Sequence, residues 1–173
     1  IDEAMKVTSY GSLLKVCKDL LHEKIPIVDM LTIIEAVADI AEFTKAPDIL
    51  LEHVRAKLYR LITQKFKDTD GVLHIVTIKP ELEQQFIGKL QEHHGVSQLM
   101  VSIAEINNLV TKTKKLIDEV ESKGFSKICM VVDPVLRKRI SEIYEKFGLQ
   151  VSVLSHAELD SKANFAIEGT LEF

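Results

Sequence analysis

The chain has 173 residues, a formal net charge of −4, and 46% apolar and 28% charged residues. That length suits one medium domain or two small ones, and the composition is that of a globular protein rather than a low-complexity chain. The mild acidity argues against a nucleic-acid binder, which shows a basic excess or stripe, and no apolar run approaches the ~18 residues of a membrane span.

Residues 1–8 have no clear period. A helix starting near Ser9 or Ser12 runs to Glu23, with Leu13, Val16, Cys17, Leu20 and Leu21 on one face. Ile25-Pro26-Ile27 ends it and starts another, because proline has no N–H and biases the preceding residue away from the α region. Asp29 then falls in a first turn, where the helix dipole favours a carboxylate. In this second helix, about 28–43, Met30, Ile33, Ile34, Val37, Ala38 and Ala41 recur at helical spacing, while Leu31 and Ile40 lie off the stripe. A helix apolar on more than one side reads as a core helix buried between neighbours. Pro47 opens a third helix that runs to about Phe66. Leu50, Val54, Leu58, Leu61 and Ile62 form its inner face, and Glu52, Arg55, Lys57 and Arg60 its outer one.

Residues 67–71 (KDTDG) are polar and turn-forming and mark a boundary. The fold class is therefore a three-helix subdomain, 1–69, followed by a small α/β domain, 70–173, with about four mostly parallel strands. The turn is also the natural hinge between the two. VLHIVTI at 72–78 is a β-branched strand. Pro80 opens a helix that ends around His93-His94-Gly95. Ser102 and Glu105 form a capping box for a long helix ended by Gly124. KICMVV at 127–132 is a continuous apolar strand, as expected when both faces are covered. Asp133-Pro134 starts a helix whose Leu136, Ile140, Ile143, Tyr144 and Phe147 face inward. Residues 150–154 form another buried strand, parallel to the previous one as a βαβ unit requires. Ser155 and Glu158 form a second capping box, and 164–171 a last strand at an edge.

No catalytic constellation emerges, and no cofactor or metal is implied. Asp133 lies at the carboxyl end of a buried strand, where α/β folds place ligands; a receiver-like phosphoacceptor or small α/β enzyme is the alternative reading, against a plain helix cap supported by Pro134. His93 and His94 lack the further ligands a zinc site needs and read as a solvated helix end. His74 reads as a satisfied strand histidine. Cys17 and Cys129 sit in apolar patterns and read as small buried hydrophobes in a reducing compartment. Serine elbows, dinucleotide fingerprints and Walker loops are absent. The basic runs at 112–115 and 137–139 have acids close by and read as solvated outer faces. Protein–protein contact is the default function, with Glu52, Arg55, Arg60, Arg137 and Arg139 as the candidate contact set. The start at Ile1 rather than Met suggests a fragment of a longer protein.

LLHEKIPIVDMLTIIEAVADIAEFTKAPDILLEHVRAKLYRLIT and ICMVVDPVLRKRISEIYEKFGLQVSVLSHAEL resemble the FlhA family, the export-gate proteins of bacterial flagella and related type III secretion systems. Pro26, Asp29, Thr32, Glu35, Asp39, Pro47, Val54, Arg55, Leu58, Arg60 and Ile62 match the first pattern; the first five are a signature taken as mainly structural. Val28 and Leu31 stand where many members carry arginine, which suggests local burial or lineage-specific packing, and Ala46 where many carry an aspartate cap. The resemblance implies the third and fourth cytoplasmic subdomains of a membrane-anchored parent at the cytoplasmic face of the bacterial inner membrane. It implies a non-enzymatic role, self-association into a ring, generally a nonamer, and docking of export chaperones with flagellar substrates and of other export-apparatus proteins. No nucleic acid is implied as a partner, and this piece alone is expected to be soluble.

Overall fold

The computed structural model describes residues 10–173. The readings made for residues 1–8 and Ser9 lie outside that range. The first helix, α1 (Tyr10–His22), ends in a Schellman motif. Lys24 takes a left-handed φ of 62°, its N–H donates to the Leu21 carbonyl, and Ile25 N–H donates to Leu20. The chain is thereby redirected into Pro26. The next helix, α2 (Met30–Ala41), is capped by Asp29, which accepts from Thr32 N–H at 3.2 Å and from the Thr32 hydroxyl at 2.7 Å.

α2 is not enclosed by neighbours. Ile33, Ala36, Val37 and Ala41 are buried, but Val28, Leu31 (64% exposed) and Phe43 (83% exposed) face outward. Burial at Val28 and Leu31 is therefore corrected. The main packing partner of α2 is the following helix, so it buries the one face turned toward that helix. The central helix is instead α3 (Pro47–Lys57), against which both α1 and α2 pack. The third helix does not run unbroken to Phe66 either. Leu58 (φ −86°, ψ 17°) shares its N–H between Val54 and Arg55 carbonyls and breaks the rod, and α4 (Tyr59–Phe66) leaves in a new direction. Among the described residues, four helices thus stand where three were expected.

The sheet comprises β1 (Val72–Ile78), β4 (Ile128–Val132), β5 (Ser152–Ser155) and β6 (Asn164–Leu171), in the order β5-β4-β1-β6 and parallel throughout. Its alternating side chains serve two cores. Leu73, Ile75, Cys129, Val131 and Leu154 pack with the helical layer. Val76, Met130, Val132 and Val153 pack on the opposite side. Covering both faces explains the unbroken apolar strands.

That opposite layer contains α5 (Pro80–Ile87), α6 (Ile103–Glu121) and α7 (Pro134–Lys146). The Ser102–Glu105 capping box is present, and a 3-10 turn at His156–Glu158 carries the second one. β6 passes so close beneath α6 that a Cβ on Gly169 would lie 2.6 Å from Leu116. Leu21 and Phe147, expected to face inward, are exposed.

His93-His94-Gly95 is not a helix end. α5 stops at Ile87, and a hairpin of β2 (Leu90–His93) and β3 (Val96–Leu99) follows. His94 (φ 52°) and Gly95 (φ 78°) form its two-residue turn. Two positive φ values suit the right-handed strand twist. The polar LQEH and VSQL segments carry too little β-branched character to show this in the letters.

Leu51→Ala, at a fully buried site in α3, is expected to lower stability by about 2–5 kcal/mol. Leu31→Ala should stay within about 0.5 kcal/mol. Urea denaturation distinguishes the one-faced α2 from an enclosed one: comparable losses at both positions would contradict it.

Candidate functional site

Three of the five candidate contact residues converge, but inside the molecule. Arg55 of α3 and Arg137 of α7 are 1% and 0% exposed, and the reading that placed them on outer helix faces is corrected. Arg137 Nε donates to Glu52 at 2.7 and 3.0 Å. Its Nη1 and Nη2 donate to Glu23 at 2.6 and 3.1 Å. Arg55 Nη1 donates to the same Glu23 at 2.6 Å, while its Nε and Nη2 grip Glu158. Glu158 also accepts from Ser155 N–H at 2.7 Å, closing its capping box. Each guanidinium fork thus spans two carboxylates, a geometry that lysine could not reproduce.

The seam joins four parts of the chain: the end of α1, α3, α7 and the 3-10 turn. Arg55, Arg137 and Glu158 have left bulk water and Glu23 and Glu52 keep only a small exposed part, so mutual attraction must offset most of their desolvation. Burial, partly opposed by Arg137, pushes the Glu52 carboxyl up to about 7. Burial pulls Arg137 down, but Glu52, Glu23 and Glu158 outweigh it, so its guanidinium stays charged.

The basic run on α7 continues inward. Lys138 Nζ lies 3.0 Å from Asp48 and 3.5 Å from Asp19. Arg139 Nη2 lies 3.2 Å from Asp48, and its Nη1 donates to the Ser97 carbonyl of β3 at 2.6 Å. These partners replace the solvated face expected for 137–139. Only Arg60 of the five is exposed in full, its guanidinium 5.4 Å from the Tyr59 ring centroid. Among the signature residues, Asp29 and Thr32 form the α2 cap, Pro26 is half-buried beside it, and Glu35 and Asp39 are exposed on α2.

Glu23 and Glu158 were not among the candidate residues. A signal for the buried arginines existed: Arg55 precedes Leu58 and Ile62 by three and seven positions, and Arg137 stands likewise to Ile140 and Tyr144. Both therefore belong to apolar stripes. The carboxylates that neutralise them lie up to 114 positions away, and no local period reports such pairing.

Asp133 caps α7, accepting from Val135 N–H at 3.0 Å, while its own N–H donates to Glu83. Its carboxylate therefore has a structural task. Among the described residues no group of three or more His, Cys, Asp or Glu is placed to hold a metal, and no helix is long and apolar enough to cross a membrane. Burial raises the Cys129 thiol to about 12, keeping it from the reactive thiolate form. His74, stacked on Phe125, has its two ring nitrogens 2.8 Å from Glu168 and 2.6 Å from Asp68. Burial lowers its pKa, but the two carboxylates prevail and raise it.

A family model described as the FHIPEP family matches residues 1–164. The chain belongs to the FHIPEP family. It is 40% identical over 172 residues to the flagellar biosynthesis protein FlhA of Helicobacter pylori, covering 99% of this chain and 23% of that protein. It is 28% identical over 166 residues to the FlhA of Bacillus subtilis, covering 95% of this chain and 24% of that protein. The chain thus spans about a quarter of the length of these curated relatives. The fold is that of the nonameric SctV-C of EPEC, with TM-score 0.86 and 19% identity, covering 98% of this chain and 51% of that one. It is likewise that of Chlamydia pneumoniae CdsV in a complex with CdsO, with TM-score 0.84 and 21% identity, covering 99% and 50%.

Removing the Arg137 guanidinium strands Glu52 and leaves Glu23 with Arg55 alone. Arg137→Ala is expected to cost about 3–5 kcal/mol, and exposed Arg60→Ala less than about 0.5 kcal/mol. Equal losses in urea denaturation would show the seam to be energetically idle. For His74, whose folded pKa is raised, the contribution to stability is complete below the ordinary value of about 6.5 and fades as pH rises through the folded one. His74→Gln should flatten that part of the stability–pH curve.

Proposed function

We propose that this chain is part of the cytoplasmic docking platform of a bacterial flagellar, type III export apparatus, at the cytoplasmic face of the inner membrane. It contributes to ring assembly and to the binding of export chaperones with their substrates, and it acts by reversible binding coupled to subdomain movement rather than by catalysis. The family match over residues 1–164 carries this reading, and the fold likeness to a nonameric SctV-C supports the ring. Residues 1–69 and 70–173 are read as the third and fourth subdomains of the longer protein. Of the contact candidates, exposed Arg60 serves as a surface group, whereas Glu52, Arg55 and Arg137 hold the surface-bearing layers together. The outward Val28, Leu31 and Phe43 form the kind of apolar surface that an assembly interface covers.

The deciding experiment is a pull-down from lysate of a flagellated bacterium, using this chain and one extended upstream through the remaining cytoplasmic part. Recovery of identified export chaperones with their substrates by the longer bait is the expected result; recovery by neither bait would overturn the docking role. In the full-length protein, Leu31→Glu with Phe43→Glu should yield assemblies smaller than the wild-type ring in negative-stain microscopy, with loss of motility. Intact rings would remove α2 from the interface.

A further inference from the structure

The seam holds three carboxylates, Glu23, Glu52 and Glu158, against two guanidiniums, Arg55 and Arg137. With every group ionised it carries one negative charge in excess. Two grooves reach it from opposite ends. One, of about 580 Å³, is bordered by Glu23 and Arg55 together with His22, Phe66 and Glu145. The other, of about 350 Å³, is bordered by Glu52 with Ile49, His53, Val135, Lys138 and Arg139. Arg137, itself wholly buried, connects the Glu23 end to the Glu52 end.

We infer that the seam is a proton-linked latch, in which Glu52 takes up the proton that cancels the excess charge and so sets how firmly the helical layer is held on α7 and the sheet. Each group packed around Glu52 bears on this. Arg137 from α7 attracts the carboxylate and favours ionisation, as does Arg55 from the same helix; Glu158 from the 3-10 turn opposes it. Glu23 competes for the Arg137 fork. Lys138 and Arg139 are engaged by Asp48, and Lys138 also by Asp19. The Nε2 of His53, beside Glu52, is buried without a hydrogen-bond partner. Among the described residues hydrogen-bonded or ion-paired in the seam no cation is left to neutralise the third carboxylate, and a proton entering by the second groove does so. It forms one O–H on Glu52 and leaves the other oxygen to accept from Arg137 Nε.

The sign follows from linkage. A carboxyl raised from 4.5 to about 7 on folding binds protons more tightly in the native state. Its contribution is complete below about 4.5 and is lost as pH rises through about 7. The latch is therefore firm when Glu52 is neutral and loosens when it ionises.

Two measurements on the 173-residue chain test this. In wild type, carbon-detected NMR should place the Glu52 carboxyl midpoint near 7; a midpoint in the ordinary glutamate range would overturn the latch. Glu52→Gln keeps the acceptor and removes the charge. From pH 5 to 8 the wild-type urea midpoint should fall by on the order of 1 M, and the Gln variant should lose most of that slope. His74 is present in both proteins, so its titration cancels. In a Cys17→Ser background, maleimide labelling of buried Cys129 reports opening of the helical layer. The wild-type rate relative to Glu52→Gln should rise on the order of tenfold between pH 6 and 8. Parallel urea profiles with the variant uniformly weaker would assign Glu52 a merely structural role and overturn the proposal.

Discussion

A guanidinium without exposed surface must find all of its partners within the protein, and Arg137 finds them in Glu52, Glu23 and the Val153 carbonyl. This requirement constrains much of the architecture. Glu52 is in place only if α3 lies across α7, and Glu23 only if the Schellman turn closes α1 where it does. Arg55 then draws in Glu158, which the Ser155 capping box holds at the end of β5. Elements separated by more than a hundred residues are thereby aligned by directional bonds. Apolar contact alone tolerates sliding, because dispersion and burial have little angular preference.

The two cores do a different job. They supply the bulk of the favourable free energy, and they share one sheet. Cys129 and Val131 serve the helical side while Met130 and Val132 serve the other. An inserted or deleted residue in β4 would exchange these sets, so its register is held from both faces. The helical layer thus has no core separate from the sheet: its buried residues are continuous with Leu73, Ile75 and Leu154.

How much was legible in the letters depended on the range of the interaction responsible. β4 was plain because burial on both faces writes an unbroken apolar run, and β1 because it is β-branched and bounded by turn residues. The caps at Ser102, Asp133 and Ser155 were plain because capping is a matter of three or four neighbouring residues, whereas Asp29, expected inside the first turn, is itself the N-cap one residue before it. The break at Leu58 was hidden, since its flanking residues keep helical spacing and only the direction of the rod changes. The hairpin at 90–99 was hidden too, because His94 occupies a left-handed position without the usual asparagine or glycine. Arg55 and Arg137 were placed outside because charge outweighs stripe membership in a periodicity argument. Their true position depends on Glu23, Glu52 and Glu158, which only the folded chain brings near.

That misplacement bears on function. Charged residues on amphipathic helices invite the inference that they meet a partner. Here Glu52, Arg55 and Arg137 meet one another, and their effect on any partner must pass through the relative position of the layers that they join. A buried ionic cluster is a poor way to gain stability, since well-packed apolar side chains of similar volume often do as well or better. It differs from an apolar seam in its angular definition and in its response to protonation. The open surface lies elsewhere, on the outer side of α2 and at Arg60. A perturbation of the seam therefore shifts how those surfaces are presented, whereas a substitution on the α2 face changes what they can contact. The two kinds of variant should be separable in a binding assay run across pH, because a seam variant such as Glu52→Gln flattens the profile whereas a substitution on the α2 face leaves the Glu52 titration in place.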